Sequence, residues 1–126
     1  MKPEEIDRLK TVKALKLREL LRKICLALPE SSESSSFGAP VWRVGKRGFA
    51  QLYDYGKGLT VSFWVGIERQ GPLEMDPRFS VPPYMGHNGW IALDASKSIN
   101  ERELSDFLID SYRHFATRRA LAKLDA

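Results

Sequence analysis

The sequence predicts an α+β domain of two layers, an antiparallel sheet with helices packed on one face. Three observations predict it. Apolar stripes of helical period stand at both ends of the chain, and strand-like segments joined by short glycine turns fill the middle. Within that middle, Leu59, Val61, Phe63 and Val65 alternate with Thr60, Ser62 and Trp64, the period of a half-buried strand. Connections of two to four residues join antiparallel neighbours, because parallel strands need a long crossover.

Residues 3–28 read as helix. Pro3 suits a first turn, and Leu17, Leu20, Leu21, Ile24 and Leu28 recur at spacings of three and four. Lys13 falls on that stripe while Val12 and Leu15 fall off it, so a change of helix or register is expected near residues 12–16. Pro29 ends the helix, and the serine-rich run of residues 30–36 reads as a solvated loop. Strands are expected over 41–44, 48–55 and 59–65, separated by Gly45-Lys46-Arg47-Gly48 and Gly56-Lys57-Gly58. Ile67–Gln70 reads as the start of a helix that Gly71-Pro72 interrupts. Residues 81–89, rich in proline and glycine, read as loop, and Trp90–Asp94 as a fourth main strand. The last helix starts near Ser98–Asn100 at overlapping capping boxes. Its stripe is Leu104, Phe107, Leu108, Ser111, Tyr112 and Phe115, with Arg118, Arg119 and Lys123 at its C-terminal end.

A chain of 126 residues fits one domain, and its formal net charge is +4. The surplus lies in residues 1–28 and in residues 41–66, which permits nucleic-acid binding without requiring it. No apolar run approaches the ~20 residues of a membrane span, and no secretory signal is visible, so the expected compartment is the cytoplasm. One cysteine excludes an internal disulfide or a multi-cysteine zinc site, and two histidines argue against a histidine metal centre, so neither cofactor nor metal is expected. Cys25 lies on the apolar side of a helix end and reads as a buried structural thiol. His87, between glycines, could serve as a general base or phosphate donor but reads better as a turn residue; His114 reads as surface. Nucleophile-elbow, P-loop, zincin and paired-carboxylate patterns do not occur, so no enzyme activity is expected.

Basic residues do gather on the hairpins. Arg43, Lys46, Arg47 and Lys57 flank two tight turns, as in wings that meet phosphates, and Trp42, Tyr53, Tyr55 and Trp64 lie on the same hairpins. Turns are also simply wet, and aromatic residues also fill cores. The two readings part on whether Trp64 and Tyr53 join the basic turns in one patch. An apolar patch free of Lys and Arg would favour a protein partner instead.

The run from Leu17 to Glu30 resembles the opening helix of the MmcQ/YjbR family. Phe37-Gly38-Ala39-Pro40-Val41-Trp42-Arg43-Val44, followed by Phe49-Ala50, resembles a strand pair of that family. Val81-Pro82-Pro83-Tyr84-Met85-Gly86 leading to Gly89-Trp90 resembles its proline-glycine loop, and Glu103-Leu104 through Arg118-Arg119 its closing helix. In this chain Gly48 separates Arg47 from Phe49, where the family often places lysine directly before that phenylalanine. The resemblance implies a secretion-chaperone-like α+β fold over residues 17–126, an N-terminal helical extension over residues 1–16, and a double-wing DNA-binding role. The expected function is therefore a small non-enzymatic DNA-binding domain, with Arg43, Lys46, Arg47 and Lys57 on phosphates and Arg18, Arg22 and Lys23 extending the footprint. The alternative is a protein-interaction or adaptor module, chaperone-like or homodimeric, using the open sheet face around Thr60, Ser62 and Trp64. A third option is a small molecule at the Pro82–Trp90 loop.

Overall fold

The computed structural model describes residues 9–54, 58–83 and 88–126. Helix α1 (Val12–Cys25) leads into strands β1 (Ser31–Ser36), β2 (Ala39–Val44), β3 (Arg47–Asp54) and β4 (Leu59–Trp64). Then come α2 (Ile67–Glu74), β5 (Phe79–Ser80), β6 (Trp90–Asp94), α3 (Glu101–Phe115) and α4 (Arg118–Leu124). The six strands form one open antiparallel sheet in the order β1-β2-β3-β4-β6-β5. The expected α+β architecture holds.

The helix layer packs where the apolar stripes predict. Ala14, Leu17, Leu21 and Cys25 bury one side of α1; Leu104, Leu108, Ser111 and Tyr112 bury one side of α3. Between them the inward residues of the central strands, Leu52, Val61, Phe63 and Ile91, are closed off completely or nearly so. Phe63 stacks on Phe107 with ring centroids 4.9 Å apart. Thr11 and Asn100 cap α1 and α3 by accepting from the amides of Ala14 and Glu103.

Five expectations change. Residues 9–11 form a turn and bend, so α1 starts only at Val12 and runs unbroken across residue 16; residues 3–8 of the expected helix lie outside the described residues. The serine run is a strand. All six residues of β1 pair with β2, from Ser31 opposite Val44 to Ser36 opposite Ala39. The poor strand propensity of serine is overridden by that template and by Glu33, whose side chain is only 16% exposed. Glu33 faces the helices, where it accepts from Arg18 (2.8 Å), from Arg22 (2.7 and 2.8 Å) and from the Trp42 indole (3.1 Å). Ser62 is 1% exposed rather than open. It sits in a central strand between Gln51 and Ala92, and a side chain that small is shielded by its neighbours. Finally, α2 continues through Gly71-Pro72, and the C-terminal helix breaks at Ala116 so that Thr117 can cap α4. Among the described residues no helix is long and apolar enough to cross a membrane.

Candidate nucleic-acid interface

The β2–β3 hairpin closes through the two-residue loop Gly45-Lys46, between the paired residues Val44 and Arg47. Gly45 has φ +60°, the left-handed conformation that such a tight turn requires and that glycine adopts without strain. A bulge follows at once. Trp42 pairs with Ala50 but Arg43 with Gly48, so Phe49 is the extra residue. Phe49 and Ala50 are both buried, and Phe49 meets Tyr112 edge-on at 5.4 Å.

That bulge fixes the end of α3. The buried hydroxyl of Ser111 donates to the Phe49 carbonyl (2.7 Å) and accepts from the Trp64 amide (3.0 Å). One side chain thereby ties α3 to β3 and β4. Residues three and four positions further along the helix share its face, which carries His114 and Phe115 to the sheet end. His114 lies flat on the Trp64 indole, with centroids 3.4 Å apart and planes 6° from parallel. Phe115 meets His114 edge-on at 4.7 Å and lies 5.9 Å from Trp90. The Arg47 guanidinium covers the Phe115 ring at 4.9 Å. The Trp64 indole donates to the Asn88 carbonyl (2.9 Å), so the residues just before β6 close the same cluster. Gly89, at φ +90°, allows this, since a Cβ there would come within 2.9 Å of both Trp64 Nε1 and Gly66 Cα.

The electrostatics are uneven. Arg18 and Arg22 turn inward to Glu33, so neither is directed outward as the helix footprint requires. Arg78 binds Asp76 and Glu103, Arg113 binds Asp125, and Arg119 and Lys123 bind Glu30. Lys46 and Arg47 are exposed, and among the described residues neither has a carboxylate within ion-pair distance. Arg43 is half-buried, donating to the Ser34 hydroxyl (2.7 Å) and the Lys46 carbonyl (3.3 Å), so it braces the turn. Lys57 and Tyr55 lie outside the described residues, as do Tyr84 and His87. Desolvation, then the charge of Arg47, lowers the His114 pKa below its ordinary value, so the imidazole is neutral at pH 7. Cys25 is fully buried and desolvation pushes its thiol up, with the Glu33 charge adding to the effect.

Of the aromatic residues singled out in the sequence, Trp64 joins the basic turn. Trp42 is wholly buried, and Tyr53 lies towards the opposite end of β3, paired with Thr60. His114, Phe115 and Trp90 were missed as site residues. Phe115 carried a signal, its place on the α3 stripe. Helical periodicity alone does not reveal that the stripe ends beside the first turn of another hairpin. The open sheet face expected around Thr60, Ser62 and Trp64 is not an apolar platform, because Ser62 is enclosed and Trp64 is covered by His114.

The fold is similar to that of the Deinococcus radiodurans protein DR2400, a crystal structure with a DUF419 domain. The TM-score is 0.67 at 22% identity, over 94% of this chain and 90% of that one. No curated protein matches the chain. The YjbR family model matches residues 26–114, from the end of α1 through all six strands to His114, and the chain belongs to the YjbR family.

Proposed function

We propose that the chain is a DNA-binding domain that catalyses no reaction, with Lys46 and Arg47 as its phosphate contacts, and we place it in the cytoplasm. The observation that carries the reading is the pair of exposed cations at the β2–β3 turn with no carboxylate among the described residues in ion-pair reach, where most of the other described arginines face carboxylates. Condensed counterions leave DNA when cations neutralise its phosphates, which favours an unpaired cation over one that must first abandon a carboxylate. Arg43 supports the turn from beneath through its bond to the Lys46 carbonyl. The test is a titration of duplex and single-stranded DNA across salt concentration. Lys46→Ala with Arg47→Ala should weaken binding about equally for all sequences and flatten the salt slope by roughly one unit per lost contact. Absence of binding at low salt, or wild-type binding by the double variant, refutes the reading.

A protein-interaction role has one observation in its favour. Phe37 is 83% exposed at the tip of the β1–β2 hairpin with φ 52°, a conformation unfavourable for a bulky residue. An adaptor module, homodimeric or with another partner, would use that ring, and sedimentation of wild type against Phe37→Asn would expose a self-association that depends on it.

A further inference from the structure

Arg47 and the α3 terminus place a cation and a stacking surface side by side. The imidazole of His114 has one face against Trp64, 3.4 Å away, and the residue as a whole is exposed. Phe115 meets that imidazole at 78°, walling one side, and holds the Arg47 guanidinium above its own ring. The rings are therefore fixed by packing before any ligand arrives, and little side-chain freedom is left to lose on binding. A neutral imidazole backed by an indole offers a flat π surface next to an unpaired cation. This is the pairing that single-stranded nucleic acid uses, phosphate on the cation and base on the ring.

A base inside a duplex presents only its edge to a protein, whereas an unpaired base presents its face. We infer that the ligand of this site is a single strand, whose unpaired base stacks on the exposed face of His114 while Lys46 and Arg47 hold the adjoining phosphates. The inference rests on the DNA-binding reading and narrows it to a substrate class. Trp64 acts beneath the surface as a positioning residue: its Nε1 bond to the Asn88 carbonyl fixes the indole on which the imidazole lies. Sequence selectivity is expected to be slight, because every base has a π face.

The experiment measures fluorescence anisotropy at low salt with three labelled probes. They are an oligothymidylate of about twelve nucleotides, an abasic strand of the same length, and a duplex. Wild type should bind the oligothymidylate more tightly than either other probe. His114→Ala should lose about tenfold on the oligothymidylate and nothing on the abasic strand, while His114→Phe keeps wild-type affinity because a ring remains. A melting curve for each variant checks folding, and the unchanged abasic affinity serves as a second check on the same sample. Equal wild-type affinity for the three probes overturns the inference, as does an alanine variant that binds oligothymidylate like wild type. Either result leaves the phosphate contacts intact and measurable through Lys46→Ala with Arg47→Ala. If wild type binds none of the probes, the DNA-binding reading falls and this inference falls with it.

Discussion

Replacing Glu33 by glutamine removes one charge from the helix–sheet boundary and keeps the shape. The side chain is 16% exposed, and the guanidinium groups of Arg18 and Arg22 that hold it belong to side chains 33% and 37% exposed. The Arg22 hydrogen bond first, with that of Arg18 behind it and against the cost of desolvation, lowers the Glu33 pKa from 4.5 to about 2. At about 1.4 kcal/mol per pKa unit that shift is equivalent to about 3 kcal/mol. Water reaches both arginines and screens the pair, so the expected loss is about 1–2 kcal/mol. The folded state depresses this pKa, so the contribution is complete above pH 4.5 and fades as pH falls towards about 2. Urea unfolding of wild type and Glu33→Gln, at pH 7 and in steps down to about pH 2, reads the difference directly. It should be largest at neutrality and shrink to nearly nothing at the acid end. A gap that stays constant with pH, or one below about 0.5 kcal/mol at pH 7, would show that the ion pairs do not anchor β1.

Two further outcomes are expected. Ser111→Ala strips the Phe49 carbonyl and the Trp64 amide of their shared partner and should cost about 2–4 kcal/mol in chemical unfolding; a loss under about 0.5 kcal/mol would mean that those two groups find other partners. Cys25, buried and with its thiol pKa raised, should resist a thiol reagent in the native protein and react promptly in denaturant; rapid native labelling would contradict its burial.

Elements with a strong period were legible in the sequence. The alternation from Leu59 to Val65 located β4 to within one residue, and Trp90–Asp94 was placed at both ends. The Asn100 cap was visible because a side-chain acceptor three residues before a glutamate is a local signal. What failed depended on distant partners. The strand at Ser31–Ser36 has no apolar residue of its own and owes its existence to the neighbouring strand and to two arginines on α1, information that lies outside any local window. The alternation puts Ser62 on the face opposite Val61 and Phe63, which such a pattern reads as the open one, yet in a central strand size governs enclosure as much as polarity does. The candidate site was half visible. Lys46 and Arg47 announce themselves on a glycine turn, but the stacking of His114 on Trp64 joins residues 50 positions apart. It depends on the β3 bulge, which leaves no pattern, and on Ser111, whose place on the α3 stripe does not reveal the two backbone groups it joins.

The near-uniform serine strand carries little information about its own alignment. Sliding β1 one residue along β2 would exchange one serine for another at most positions, so hydroxyl contacts scarcely distinguish the two arrangements. The same slip would swing Glu33 from the helix side of the sheet to its outer side, away from both arginines and the indole. The turn at Phe37-Gly38, with φ of 52° and 80°, supplies the second constraint by fixing which residues face each other across the loop. Alignment of an entire edge strand is thus encoded by one carboxylate and one turn. Serines on the outer side can be exchanged for other small polar residues while the strand keeps its place. Moving the lone glutamate by a single position would erase the code, although composition and net charge would remain the same.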